Sequence, residues 1–314
     1  MKDKTYRELD AFIAAHRDEL NSEADVERLV DLFMQEQGAK PGITLMKADT
    51  PAESAEDYLE LADRATGPEE ALRYVEKALE LDPENINALC MHAQLQGQRD
   101  PNRTLELLGE ALEKATGILR RKGWFADENV GAFWAIHETR PYMGLRLHYL
   151  QLLFICNKLR LARREAEEML DLCENDNLGV RYKLMCIYAL LEEREEMLAL
   201  HRRFEESDES QLLLPLCIGF YRLGELDKAA EYLQRLLASN PDTPEFVRRI
   251  AEGRIAEAFG TEPDGYRPGT LEELLFFATE NPEMLIGEEP WAFWALSILP
   301  ARTKKKAAKK RNRK

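Results

Sequence analysis

Two stretches far apart in this chain share one spacing of small residues closed by a proline. In the segment from Gly67 to Pro83, Ala71, Ala78 and Pro83 stand at relative positions 0, +7 and +12. From Gly224 to Pro241, Ala229, Leu236 and Pro241 hold the same offsets. Small or short residues seven apart lie on one face of an α-helix and let a second helix approach closely, and the proline then ends the helix. Apolar stripes run through both: Leu72, Val75, Ala78 and Leu79 in the first, and Leu226, Ala229, Leu233 and Leu236 in the second. No window alternates apolar and polar residues as a strand does, so the expectation is an all-α fold of paired helices.

Helix starts are marked as well. Thr5/Glu8, Ser22/Asp25, Ser54/Asp57 and Thr270/Glu273 fit the capping box, in which side chains satisfy unpaired N–H groups of a first turn. Pro68, Pro101, Pro141 and Pro244 suit first-turn positions, where the missing N–H has no helical partner.

Composition narrows the function classes. Of 314 residues, 45% are apolar and 32% charged, and 43 Lys and Arg face 58 Asp and Glu, for a net charge of −15. An acidic body repels polyphosphate, which disfavours nucleic-acid binding by the folded part. The sequence has no apolar run of the ~18 residues that a membrane helix needs, and it opens with a polar, amphipathic stretch, so a cytoplasmic protein is expected. Cys90, Cys156, Cys173, Cys186 and Cys217 are scattered without CxxC or CxxH pairs, and read as small buried thiols with no metal site.

With these residues in view, the sequence resembles the tetratricopeptide repeat family, built from ~34-residue helical hairpins. Both proline-closed segments fit the second helix of that motif. Weaker copies keep parts of it: Arg103 onward has Thr104 at the first small position, Ala162/Ala166/Met169 lacks the proline, and Asn177–His201 has Met197 at the first small position. Pro83, Glu174 and Pro241 then end units 91 and 67 residues apart, and the excess in the first interval points to an inserted helix near 117–142. The resemblance implies a right-handed α-solenoid of degenerate hairpins over residues 52–241, with a helical pair at 1–40 and a helical cap at 242–300. A narrower resemblance rests on the run Gly131–Met143, which ends in Glu-Thr-Arg-Pro-Tyr-Met, and on Glu174–Tyr182, which holds Asn-Asp-Asn-Leu-Gly-Val-Arg-Tyr; both look like signatures of a bacterial tetratricopeptide group. Some of its members carry a Cys-rich metal module of the SecC type; the cysteine pattern of that module is absent from this sequence.

No cofactor, metal or catalytic set is expected. The five histidines show no metal-ligand spacing, and nucleophile-elbow and phosphate-loop motifs are lacking, so the chain reads as a non-enzyme. The resemblance places a peptide groove on the first helices of the hairpins. In its register Gln151, Phe154, Arg181, Met185, Tyr188, Leu214, Ile218, Tyr221 and Arg222 face that groove, with packing in the solenoid core as the competing role for each. Arg140-Pro141-Tyr142 reads either as a helix start packed under the insertion or as an arginine offered to an acidic partner. Residues 302–314 hold nine Lys or Arg and no acid, a composition that predicts a disordered tail. The leading expectation is a scaffold for a partner peptide or helix; the alternative is a nucleic-acid- or ribosome-associated protein docked through that tail.

Overall fold

The computed structural model describes residues 52–97, 100–255 and 266–299. The expected helical pair at 1–40, with the Thr5 and Ser22 caps, and the basic tail at 301–314 lie outside the described residues. Within them are thirteen α-helices and no β-strand. The described residues fall into two compact units, divided between Leu95 and Gln96.

In the first unit, α1 (Ala55–Asp63) and α2 (Pro68–Leu81) form a hairpin, and most of α3 (Ile86–Gly97) follows. The Ser54 cap forms as read: its hydroxyl accepts from Asp57 N at 3.2 Å, and the Asp57 carboxylate accepts from Ser54 N at 3.0 Å. Ala71, Val75 and Ala78 meet Ala55, Leu59 and Ala62 in one apolar cluster, so the small residues seven apart do separate two close helices.

The second unit continues with α4 (Pro101–Arg121), α5 (Arg140–Ile155), α6 (Leu159–Leu172), α7 (Val180–Leu190), α8 (Arg194–Arg203), α9 (Ser210–Arg222) and α10 (Leu226–Ser239). It closes with α11 (Thr243–Ala251), α12 (Leu271–Glu280) and α13 (Glu289–Ile298). From α4 to α7 each helix packs on the next; α7 packs on α8 and α9, and α9 on α10. Contacts confined to near neighbours in sequence are what make an α-solenoid. Ala162, Ala166, Ala229, Leu233 and Leu236 are fully buried on the second helices of these hairpins, where each large apolar side chain contributes about 1.5–3 kcal/mol.

One degenerate position is compensated across the array. Met197 of α8 stands where a small residue belongs and is fully buried. A Cβ on Gly219 of α9 would lie 2.6 Å from the Met197 sulfur and 3.1 Å from Ala189 Cβ, so the glycine of the next helix makes the room that Met197 takes.

The insertion is not the expected helix. Past α4 the chain makes turns, a lone antiparallel bridge between Ala132 and Cys173, and a 3₁₀ turn at His137–Thr139. Gly123 and Gly131, at φ 78° and 94°, break any helical path there. Four of the five cysteines are buried as expected; Cys156 is half-buried. Burial pushes the Cys90, Cys186 and Cys217 thiols up to about 12, so they stay protonated.

Candidate functional site

The expected groove is occupied by the chain itself. Residues 266–299 fold back over the faces of α7 and α9 that a partner peptide would need. Lys183 donates to Glu280 O and Asn281 Oδ1, both at 2.7 Å, and its ammonium lies 4.4 Å from the Phe154 ring centroid. Gln211 donates to the Tyr266 hydroxyl at 2.7 Å, and Ser210 to Glu273 at 3.0 Å. Arg222 Nε donates to Glu288 at 2.8 Å, and Tyr221 packs on Trp294 with ring centroids 5.2 Å apart. Trp291 is fully buried, and its indole N–H points at Cys217 Sγ, 3.4 Å away. Burial lifts the Glu288 carboxyl above its ordinary range, against the opposing pull of Arg222.

Glu273 explains why the Thr270 cap does not form. Its carboxylate turns inward to accept from Ser210, Asn240 and Gly269 N, and the Thr270 side chain makes no cap bond.

The nine groove positions therefore do not converge on one open surface. Phe154, Met185, Leu214 and Ile218 are buried core residues. Tyr188 is buried too, its hydroxyl donating to Glu167 of α6 at 2.8 Å. Tyr221 and Arg222 sit under the cap. Arg181 turns back past the N-terminus of α7, where it pairs with Asp176 at 2.9 Å and lies over the Tyr182 and Phe204 rings. Gln151 is half-exposed. On α7 it is Lys183, two positions past Arg181, that faces the covering segment. That lysine was legible only as a neighbour of the chosen positions.

The two signature runs are brought together, in a structural role. Phe133 N donates to Leu172 O at 3.0 Å and Glu174 N to Gly131 O at 2.9 Å, lacing the insertion to the end of α6. Arg140 Nε donates to Trp134 O at 2.7 Å, Pro141 lies in the first turn of α5, and Tyr142 is buried against Phe125 and Phe133. Arg140 thus holds the insertion. Asp176, also buried, accepts from Val180 N at 2.7 Å and Arg181 N at 3.1 Å and so caps α7.

An open cleft lies on the other side of Tyr142. Here α4 packs on α5 and α5 on α6, leaving about 530 Å³ between α4 and α6 with α5 as its floor. The α4 wall presents Gly109, Glu113, Thr116, Gly117 and Arg120; the floor presents Tyr142, Arg146 and Tyr149; the α6 wall presents Glu165 and Glu168. Arg146 is buried and fully engaged: Nε reaches Glu165 at 2.5 Å, Nη2 reaches Glu168 at 2.6 Å, and the guanidinium covers the Tyr142 ring. The Tyr142 hydroxyl meets Thr116 at 3.0 Å. Burial first, then the charges of Glu165 and Glu113, raise the Tyr149 phenol above its ordinary pKa, against the opposing pull of Arg164.

Two glycines on the α4 wall stand out. Glycine inside a helix costs about 1 kcal/mol relative to alanine, so each one asks for a reason. A Cβ at Gly109 would meet only the Tyr149 ring, at 3.8 Å, and one at Gly117 only Arg121 Nη1, at 3.6 Å; both are ordinary contacts. The packing of the chain itself does not require either glycine.

No family model matches the sequence, and neither does any curated protein. Among solved structures the chain is similar to a MamA protein, at 16% identity and TM-score 0.42, over 62% of this chain and 94% of that one. It is also similar to YrrB, described as a TPR protein with an unusual peptide-binding site, at 16% identity and TM-score 0.41, over 59% of this chain and 86% of that one. Among the described residues no helix is long and apolar enough to cross a membrane, and no three His, Cys, Asp or Glu side chains are grouped to hold a metal ion.

Proposed function

We propose that this chain is a non-catalytic scaffold for protein partners, and that it holds a partner segment in the cleft between α4 and α6. The observation that carries this reading is the pair Gly109 and Gly117. They bare the α4 backbone along the cleft, where an added Cβ would make only ordinary contacts with Tyr149 or Arg121. Glycine at such positions suits the close approach of another backbone. The α7–α9 wall is the weaker candidate, since the chain's own residues 266–299 already cover it.

Affinity capture with full-length baits tests the reading. Gly109→Arg and Gly117→Arg place long side chains into the cleft and are expected to lose the partner without any fall in melting temperature. Tyr221→Ala is expected to keep it. Retention of the partner by both arginine variants would sink the proposal.

A second reading comes from the tail. Nine basic residues in 302–314 suit contact with RNA, a ribosomal surface or anionic lipid. Filter binding of the full chain and a 1–301 form distinguishes it: the contact requires tighter, salt-sensitive binding by the full chain.

A further inference from the structure

We infer that the α4–α6 cleft is built to take a basic side chain, so that its partner is an amphipathic helix bearing lysine or arginine. This rests on the scaffold reading above and names the class of partner. Three carboxylates line the cleft, Glu113, Glu165 and Glu168, against two guanidiniums. Arg146 is saturated by two of those carboxylates and by the Tyr142 ring. Arg120 sits at the insertion end, its guanidinium 5.6 Å from the Phe125 ring centroid.

Arg146 brings one charge against the two of Glu165 and Glu168, so one negative charge remains at the α6 rim, and Glu113 adds another in the middle of α4. The Glu168 side chain is 59% exposed and offers Arg146 a single oxygen. A carboxylate accepts at both oxygens, so an arriving ammonium or guanidinium can share Glu168 without displacing Arg146. Glu113 stands exposed on the opposite wall, and Tyr149 on the floor offers a ring to a cation held between them. Gly109 lies one turn before Glu113, and the bare backbone there lets a docking helix come close enough for its basic side chain to reach the floor. An acidic helix would instead set its carboxylates beside Glu113 and Glu168 and find Arg146 already paired.

The test uses the full-length protein and two fluorescein-labelled probes, an alanine–lysine helical peptide and its alanine–glutamate counterpart, followed by fluorescence anisotropy. The lysine peptide should bind wild type and be displaced by salt. Glu113→Gln/Glu168→Gln should weaken it by about tenfold, as the loss of two partly exposed ion pairs implies. Glu192→Gln/Glu195→Gln removes the same charge outside the cleft and should leave affinity within twofold. Equal losses in the two double variants, no loss in either, or preference for the glutamate peptide would overturn the inference. If Gly109→Arg blocks the glutamate peptide, the scaffold reading survives while the basic partner falls. If it blocks neither peptide, both fall.

Discussion

The wall of α7 and α9 and the cleft between α4 and α6 are opposite answers to one problem, a space flanked by helices. At the first, the chain returns from a distant part of its sequence and fills the space with Trp291, Trp294, Glu280 and Glu288. Gly219 there is demanded by the chain's own packing, since Met197 occupies the place of its absent side chain. At the second, the space is left open, and Gly109 and Gly117 face it without any internal need. A glycine inside a helix is thus evidence for an outside partner only where the surrounding chain does not already use the room.

The largest effect separating these regions should come from the cap. Trp291→Ala removes a fully buried indole from beneath α9 and α11 and should lower unfolding free energy by about 3–5 kcal/mol in chemical denaturation. Partner capture by the cleft should survive wherever the variant remains folded. A loss under 1 kcal/mol would mean that residues 266–299 are not part of the core.

On the cleft side, Arg146→Leu leaves Glu165 buried without its cation and should cost about 3–5 kcal/mol. Adding Glu165→Leu should restore most of that stability, because the destabilisation comes from the orphaned charge. A double variant as unstable as the single would instead show that the floor of the cleft depends on the ion pair itself.

How much of this contrast was legible in advance differs by level. Local chemistry was readable: Pro68, Pro101, Pro141 and Pro244 begin helices, Ser54 caps one, and Ala71, Ala78, Ala229 and Leu236 are buried between helices. Each depends on residues within a few turns. The insertion was misread because the spacing excess gives its length but not its conformation, and Gly123 and Gly131 outweigh its helix-compatible residues. The closed wall was invisible because its contacts join residues such as Lys183 and Asn281, 98 positions apart, and no periodicity records such a pairing. Of the cleft, only the two glycines within an uncommonly long α4 left a trace in the sequence.

Glycine replacement sharpens the comparison with opposite signs. Gly219→Ala should destabilise by about 1–3 kcal/mol, since the methyl must displace Met197. Gly109→Ala should instead stabilise by about 0.5–1 kcal/mol through helix propensity, and so should Gly144→Ala on α5, where nothing lies within 4 Å and no cleft is lined. Only Gly109→Ala should also weaken partner capture. Equal capture by the two stabilised variants would remove the functional meaning given to the cleft glycine.

The smallest expected effect is a pH dependence on the closed side of the comparison. His201 is buried, with its Nε2 3.0 Å from Ser207 O and its ring against Tyr232. Burial lowers its pKa; the Ser207 carbonyl, Glu206 and Asp208 pull the other way, and Arg235 adds to the lowering. The fold therefore favours the neutral ring. In the unfolded chain a histidine takes up its proton near pH ~6.5, so this contribution is complete above that pH and is lost as pH falls toward the lower folded value. The slope cannot exceed that of one proton, about 1.4 kcal/mol per pH unit. Denaturation of wild type and His201→Gln at pH 7.5, 6.5 and 5.5 reads it out, because glutamine can keep an N–H toward Ser207 without titrating. The difference in stability between the two proteins should shift in glutamine's favour at pH 5.5. A constant difference across the series would mean that the turn joining α8 to α9 accommodates the charged ring as readily as water does.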